Sequence, residues 1–435
     1  MSLDVKEHRD ALTNEYYLSF THKSGVYVMI SPNTYSSSCA VYSSDYGGGN
    51  VSFEYGGRKY DTPAGVAHFL EHKLFETEDG GDAFSLFGAL GADSNAFTSH
   101  QSTSYTFTSQ NDAFYDSLKI LLHFVHDPHF TKESVEKERG IIAEEIKMYD
   151  DSPDNRCYYE LMKCLYKNNR IRYDVGGTVD SIAGITPELL YLCHKAFYSP
   201  SSMTLVISGD ATPEKVAAIM DEQIPPCDPA PVKKLYPREP DKVNRRLSRL
   251  RMEVSEPLFG FGIKDAPEKD KLLSRRKCVA LSILSDMLFG TSSAFYCGCY
   301  EKGLLSGDVD AGYYCGEDHA YLSVFGESRK PFTVKKLIYE TLDRTLESGI
   351  DAESFEISKK IFYADFIYSL QSSQSVAYSL LSFHQSGDDM AEYTLLLSGI
   401  DADFAFECLK SIYKKDRCSF AITEPADGSR REKDV

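Results

Sequence analysis

One short segment, residues 62–76, constrains this chain more than any other. It reads T-P-A-G-V-A-H-F-L-E-H-K-L-F-E, and its Thr-Pro start predicts a helix. The threonine hydroxyl can cap a free backbone N–H group, and proline suits the first helical position because the N–H that it lacks would have no partner there. On that helix His68 and His72 are four residues apart, so both imidazoles project from one face with Glu71 beside them. Two imidazoles and a carboxylate so placed can serve one zinc ion.

The pattern H-x-x-E-H is an inverted zinc motif, because its glutamate precedes the second histidine. Zinc in a hydrolase usually takes three protein ligands and leaves one position open, so a carboxylate should arrive from a separate element. Residues 136–149, E-K-E-R-G-I-I-A-E-E-I-K-M-Y, offer candidates on a predicted helix capped by Thr131. Glu138 and Glu145 lie two turns apart on one face. Taken alone, this helix is typical of a solvated charge run; paired with the histidines, it supplies the missing carboxylate.

The same helix contains three isoleucines, which predict the side on which it packs. These are Ile141, Ile142 and Ile146, and apolar residues at this spacing indicate a buried face. We therefore expect all three to be buried.

Together the two motifs resemble those of the pitrilysin and insulinase-type inverted zinc metallopeptidases, and in particular their shorter bacterial members, which are similar to processing peptidases. That family has H-x-x-E-H, a long spacer, and a helix with E-x-x-x-x-x-x-E whose second glutamate binds zinc. The resemblance implies that His68, His72 and Glu145 bind Zn²⁺ and that Glu71 is the general base. Glu138 is expected to hold a ligand or the base in position through a hydrogen bond.

Glu144 competes with Glu145 for the third ligand position, but the seven-residue spacing from Glu138 favours Glu145. Zinc held there would lower the pKa of its bound water to about 7. Glu71 would then take the proton of this water and deliver it to the leaving amine. The predicted activity is that of a zinc metalloendopeptidase acting on peptides or unfolded polypeptide segments.

The resemblance also implies a substrate-binding strand beside the metal. The segment Asn95, Ala96, Phe97, Thr98 matches a family edge strand that pairs with the substrate backbone, a mode of binding that tolerates many side chains. Asn95, Ala96 and Phe97 are the residues expected to contact the substrate. Composition alone, without the resemblance, favours an ordinary core strand for the same residues.

One departure from the family pattern concerns the groups that stabilise the oxyanion. Active pairs of the family carry a motif similar to R-E-K-x-G-L-A-Y in a second half, whereas this chain reads Y-E-K-G-L-L-S over residues 300–306. Tyr300 replaces the arginine, and Ser306 stands nearest to the missing tyrosine. We therefore expect a homologous partner chain, or a second copy of this one, to supply both donors. The alternative is a weakly active or inactive subunit that binds peptides or stabilises a partner.

Composition narrows the remaining possibilities. Apolar residues make up 42% and charged residues 26% of the 435 residues, as in soluble globular proteins. No membrane span or signal peptide is predicted. Eleven cysteines without C-x-x-C indicate a reducing compartment, so a cytoplasmic location is expected. A net charge of −18 disfavours nucleic acid and anionic membrane surfaces as partners.

A proline-rich segment predicts how the chain divides. Residues 222–240 contain six prolines, which suits a semi-rigid linker. It would join a metal-bearing half, 1–221, to a second half without the motif, 241–435. Within the first half, residues 38–44 and 51–55 predict a pair of neighbouring strands. The expected class is α+β, with two structurally similar halves in which helices flank a mixed or antiparallel sheet.

Overall fold

The computed structural model describes residues 3–78, 80–225 and 231–426. Contacts divide the chain into two compact units. Unit one comprises the chain up to Ile146 together with Asp174–Tyr236 and Phe366–Leu395. Unit two comprises Lys147–Tyr173, Pro237–Asp365 and the chain from Leu396 onward.

These units differ from the predicted halves. Residues 147–173 belong to unit two although they precede the proline-rich segment, and residues 366–395 belong to unit one although they follow it. A division into contiguous halves at 221 and 241 is therefore wrong for these two stretches.

The strands of the described residues are short and are numbered here in chain order. They are β1 (Lys6–Arg9), β2 (Tyr16–Thr21), β3 (Tyr27–Pro32), β4 (Ser37–Ser44), β5 (Ser52–Tyr55), β6 (Arg58–Asp61), β7 (Asp93–Thr98), β8 (Thr103–Gln110), β9 (Met203–Gly209), β10 (Lys233–Lys234), β11 (Leu247–Met252), β12 (Leu258–Asp265), β13 (Asp310–Cys315), β14 (Ala320–Glu327) and β15 (Cys418–Pro425).

The α-helices vary more in length. They are α1 (Val66–Leu74), α2 (Ala83–Ala89), α3 (Phe114–His126), α4 (Lys132–Asp150), α5 (Pro153–Leu165), α6 (Val179–Ile182), α7 (Pro187–Phe197), α8 (Pro213–Gln223), α9 (Lys271–Phe289), α10 (Ala294–Glu301), α11 (Pro331–Ser348), α12 (Ala352–Ser369), α13 (Ser373–Gln385), α14 (Tyr393–Ser398) and α15 (Ala402–Ile412).

The main sheet of each unit follows the same plan. Unit one has the order β1-β2-β3-β9-β4-β8-β7, and unit two has β11-β15-β12-β14-β13. In both, the last strand of the sheet along the chain is inserted between two earlier ones, parallel to one neighbour and antiparallel to the other. Both sheets also end in an antiparallel hairpin at one edge. The predicted α+β class with two similar halves is confirmed.

The central strand β9 shows why the sequence folds this way. Its residues M-T-L-V-I-S-G are all buried, as expected for a strand covered on both faces. Val206 belongs to a cluster with Val376 and Leu380 of α13, whereas Leu205 and Ile207 belong to the larger core that contains α1 and α3. Helices thus cover both faces of this sheet.

Residues 147–173 and 366–395 each contribute a helix that packs on the sheet of the unit to which they belong. Helix α13 packs on β4 and β9 in unit one, and α5 packs on β12 and β15 in unit two. Each of these helices follows a long helix, α12 and α4 respectively, most of which belongs to the other unit.

Two local predictions fail because of long-range pairing. Strands β4 and β5 are not partners, since β4 pairs with β8 and β9 while β5 pairs with β6 and β10 in a separate sheet.

Strand β10 lies inside the predicted linker, with Lys233 opposite Glu54. Later in the same segment, Glu239 accepts hydrogen bonds from three backbone N–H groups at residues 167–169. The segment 222–240 is therefore partly built into the fold.

One stretch of the described residues, Lys271–Glu301, is apolar enough to cross a membrane by length and composition alone. It contains α9, a break and α10, and 61% of its most apolar window is buried inside the protein. Core helices commonly pass this test, so it is weak evidence for a span.

Candidate metal centre

The helix that carries the H-x-x-E-H motif starts at a glycine. Gly65 is the N-cap with φ of 94°, and no side chain caps the helix. A Cβ at this position would lie 2.5 Å from the carbonyl oxygen of Gly176. The predicted start at Thr62 is wrong, since the helix begins at Val66 and the Thr62 hydroxyl donates to the Val51 carbonyl instead.

Most of α1 is anchored in the core of unit one. Phe69, Leu70 and Leu74 are 1% exposed or less, which fixes the helix against the sheet. His68 and His72 are only half-buried, so their rings face a partly open space.

The second motif lies on α4, as predicted. The Thr131 hydroxyl accepts the Ser134 N–H at 3.1 Å, as a cap should. Ile142 and Ile146 are buried, but Ile141 is 50% exposed, so the prediction that all three pack inward is wrong. Ile141 is one residue from Ile142 and is therefore rotated by about 100° around the helix, toward the exposed side.

Helices α1 and α4 bring three predicted ligands together. One donor atom from each of His68, His72 and Glu145 lies within 4.8 Å of the others. His68 Nε2 is 3.7 Å from Glu145 Oε1, and His72 Nε2 is 3.4 Å from Glu145 Oε2. Neighbouring ligand atoms on tetrahedral zinc, at bond lengths near 2.0–2.1 Å, are about 3.4 Å apart. The spacing therefore fits one zinc ion.

The remaining nitrogens agree with this assignment of donor atoms. His72 Nδ1 is 3.0 Å from Glu138 Oε1, which leaves Nε2 free to face Glu145. His68 Nδ1 is buried and has no hydrogen-bond partner among the described residues. Two imidazoles and one carboxylate form a donor set that zinc accepts and that leaves its fourth position to another ligand.

The same contacts set the electrostatics of the centre. Burial and the neighbouring His72 lower the pKa of His68. Burial also lowers the pKa of His72, but its hydrogen bonds with Glu138 and Glu145 outweigh burial and raise the pKa to about 10. The hydrogen bond from His72 lowers the pKa of Glu145. These contacts favour the protonated form of His72, so a metal bound through Nε2 would have to displace a proton.

Glu71 stands apart from the three ligands. It is 8% exposed, and burial raises the pKa of its carboxyl group. The Thr98 hydroxyl donates a hydrogen bond to Glu71 Oε2, and the Thr103 hydroxyl lies 3.3 Å from that of Thr98. The sequence placed Thr98 at the end of the predicted substrate-binding strand but gave no sign of its contact with Glu71.

The predicted substrate-binding residues lie on β7, which ends the order of its sheet. Asn95 and Phe97 are exposed and Ala96 is half-buried. The Ala96 N–H donates to Asn95 Oδ1 at 2.9 Å. Strand β7 packs against α1, so these residues belong to the same region of unit one as the metal ligands. They form an edge strand, and the alternative prediction of an ordinary core strand is wrong.

Two positions that differ from the family pattern lie in unit two. Tyr300 is 59% exposed on α10, and the Ser306 hydroxyl donates to Glu256.

Comparison with known proteins identifies the family. Residues 51–179 match the model described as insulinase, peptidase family M16, and residues 184–362 match the peptidase M16 inactive domain. The zinc protease YmfH of Bacillus subtilis (strain 168) is 36% identical over 345 residues, which cover 78% of this chain and 80% of the relative. The chain belongs to the M16 family of peptidases. It is a metallopeptidase by membership, and the family's metal is zinc.

Solved structures agree with this assignment. An M16-like peptidase from Alicyclobacillus acidocaldarius has a TM-score of 0.89 and 30% identity, covering 98% of this chain and 99% of that chain. Pitrilysin has the same fold, with a TM-score of 0.73 and 16% identity, covering 97% of this chain but 46% of its own. The M16 chain described here thus corresponds to about half of a pitrilysin chain.

Proposed function

We propose that this M16 protein is a zinc endopeptidase in which His68, His72 and Glu145 hold the metal and Glu71 transfers the proton. The observation that carries the proposal is the convergence of α1 and α4, which places the three donor atoms within 4.8 Å of one another. Zinc held by these residues would lower the pKa of a bound water and polarise the scissile carbonyl.

The environment of Glu71 supports its role as the general base. Burial raises the pKa of its carboxyl group, which makes the carboxylate a better proton acceptor near neutral pH. The hydrogen bond from Thr98 fixes one carboxylate oxygen, so the other is available to accept a proton and deliver it to the leaving amine. Glu138 orients His72 by holding Nδ1.

The edge strand β7 is the proposed site for the substrate backbone. A peptide that pairs with an edge strand is held by main-chain hydrogen bonds, so many sequences can bind. Pairing at Ala96 would replace the local hydrogen bond between its N–H and Asn95 Oδ1. Asn95 and Phe97 would then flank the bound peptide. Peptides or unfolded segments are the substrates that can adopt this extended form.

A partner is proposed to complete the centre. This chain has Tyr300 at the position where the family motif has an arginine, and Ser306 stands nearest to the motif's tyrosine. The chain also matches 46% of pitrilysin, so a second chain would be needed to reach the length of that protein. A homologous chain, or a second copy, is proposed to supply the two donors.

Zinc content and peptide cleavage test this function directly. The purified protein is assayed with a mixed peptide library, alone and with a homologous chain that carries the arginine and tyrosine. We expect bound zinc in both samples and faster cleavage with the partner. Full activity of the lone chain would contradict the need for a partner.

The Glu71→Gln variant separates the base from the ligands. It is expected to keep zinc and lose cleavage by about 10²–10⁴-fold, the usual contribution of a general base. Undiminished turnover in this variant would refute the role of Glu71.

A second candidate function is favoured by the same two positions. A subunit without the arginine and tyrosine can bind peptides through β7, or stabilise a partner, without cleaving them efficiently. Zinc binding without hydrolysis in every pairing would support this alternative.

A further inference from the structure

Unit two contains a cavity of about 560 Å³ on the face of its sheet that packs against α5. This volume falls within the range of small-molecule sites, about 300–1,000 Å³. The cavity is lined by aromatic side chains, among which Phe259 and Tyr321 are almost fully buried and Tyr314 is 43% exposed. The rings of Tyr314 and Tyr321 stack with centroids 5.2 Å apart. An aromatic floor therefore opens toward solvent on one side.

The side chain of Ser323 lies on this floor. Ser323 is 1% exposed and lines the cavity between Tyr321 and Phe325, which share its face of β14. Among the described residues its side-chain oxygen forms no hydrogen bond, whereas the Tyr321 hydroxyl is paired with that of Tyr158 at 3.1 Å. Because this hydroxyl is not committed to another side chain and lines the cavity, a ligand seated there can form a hydrogen bond with it.

The rim of the cavity is acidic. Asp154, Asp308, Asp310 and Glu327 line it and are exposed. Within the described residues, none of the four forms an ion pair, and the one hydrogen bond to their side chains comes from the neutral Tyr296 hydroxyl to Asp308. Four carboxylates without a cation create a strongly negative field at the mouth of an aromatic cavity.

We propose that this cavity binds a guanidinium group, as carried by the arginine side chain of a polypeptide. A guanidinium ion stacks on aromatic rings and pairs with carboxylates through several N–H donors at once. A ligand seated here would place its cation near Asp308 and Asp310 and reach the hydroxyl of Ser323. The site lies within unit two and shares no residue with the metal centre, so the inference does not depend on peptide hydrolysis.

Calorimetry with the full chain, kept zinc-free by chelation, tests the proposal. The probes are N-acetyl-arginine methylamide, free L-arginine and N-acetyl-citrulline methylamide, which has nearly the same shape as the first but no charge. We expect saturable binding of the arginine ligands and at least about tenfold weaker binding of citrulline, since tenfold corresponds to about 1.4 kcal/mol. Tighter binding of the blocked ligand indicates a peptide side chain, and tighter binding of L-arginine indicates the free amino acid.

Charge and space are tested by separate variants. Asp308→Asn with Asp310→Asn is expected to weaken arginine binding about tenfold, while Asp365→Asn with Asp403→Asn, two exposed carboxylates of unit two outside the cavity, leaves it within about twofold. Ser323→Leu fills the cavity without changing charge and should abolish binding. Unfolding midpoints check that each variant is folded. The absence of saturable binding, equal affinity for citrulline, or an equal loss in the control pair would overturn the proposal.

Discussion

Two adjacent glutamates on α4 allow the third metal ligand to be tested one side chain at a time. Glu145 faces both imidazoles, whereas Glu144 is exposed. We expect Glu145→Gln to reduce zinc affinity by more than about 100-fold, because the loss of a mere hydrogen-bond partner of a ligand already costs 10–100-fold. Glu144→Gln is the control and should bind zinc normally. Competition with a metal indicator measures both, and equal losses would contradict the assignment.

Thr98 is expected to act on catalysis through the position of Glu71. Thr98→Val keeps the shape but removes the hydroxyl that donates to Glu71. A hydrogen bond to a charged group contributes about 1.5–3 kcal/mol, so kcat should fall roughly 10–100-fold while KM and zinc content stay unchanged. Thr98→Ser retains the donor and should restore most of the rate. An effect confined to KM would instead place Thr98 in substrate binding.

The difference between Glu71 and Thr98 shows what was predictable at the metal centre. Helical spacing alone put His68, Glu71 and His72 on one face, and two-turn spacing selected Glu145 once the second motif was recognised. The bond from Thr98 joins a strand end to a helix across 27 residues. No local period encodes such a contact, because it depends on where β7 lies beside α1.

The start of α1 depends on backbone conformation as much as on side chains. Gly65 has a left-handed φ of 94°, and a Cβ there would clash with Gly176. Gly91 has a φ of 66°, and the position that a Cβ would take is open. Gly91→Ala should cost about 1–2 kcal/mol from backbone strain alone. Gly65→Ala should cost more than about 2 kcal/mol and also weaken zinc binding, because the clash adds to that strain. Urea unfolding measures both variants, and equal destabilisation would mean that the contact is relieved without cost.

Predicted and observed elements differ mainly where distant strands pair. The predicted strands 38–44 and 51–55 both exist, within one or two residues of β4 and β5, because alternation and glycine turns mark them. Their pairing was wrong because β9, more than 150 residues later, inserts beside β4. Insertion of a late strand satisfies the backbone of β4 from both sides, and it leaves β5 to a separate small sheet.

At the scale of the whole molecule, the linear sequence does not show that α5, from the first half of the chain, belongs to unit two. Nor does it show that α13, from the second half, belongs to unit one. Both helices have ordinary caps, Ser152 and Ser372, whose side chains accept backbone N–H groups. Nothing in either helix specifies which sheet it covers. A proline-rich segment is a strong sign of a boundary, and the units do change between Tyr236 and Pro237. The prolines do not mark the four other places at which the chain passes between the units, because those places contain no run of prolines.

A core substitution in α13 tests its assignment to unit one in the full chain. Leu380 is 1% exposed and belongs to the cluster that contains Val41 and Val206 of unit one, whereas Leu342 of α11 is fully buried in unit two. Each Leu→Ala change should cost about 2–5 kcal/mol. Hydrogen exchange should therefore accelerate in β4 and β9 for Leu380→Ala and in β12 for Leu342→Ala, the strand on which α11 packs. If Leu380→Ala accelerated hydrogen exchange only in unit two, α13 would pack with the second half of the chain. Its assignment to unit one would then be wrong.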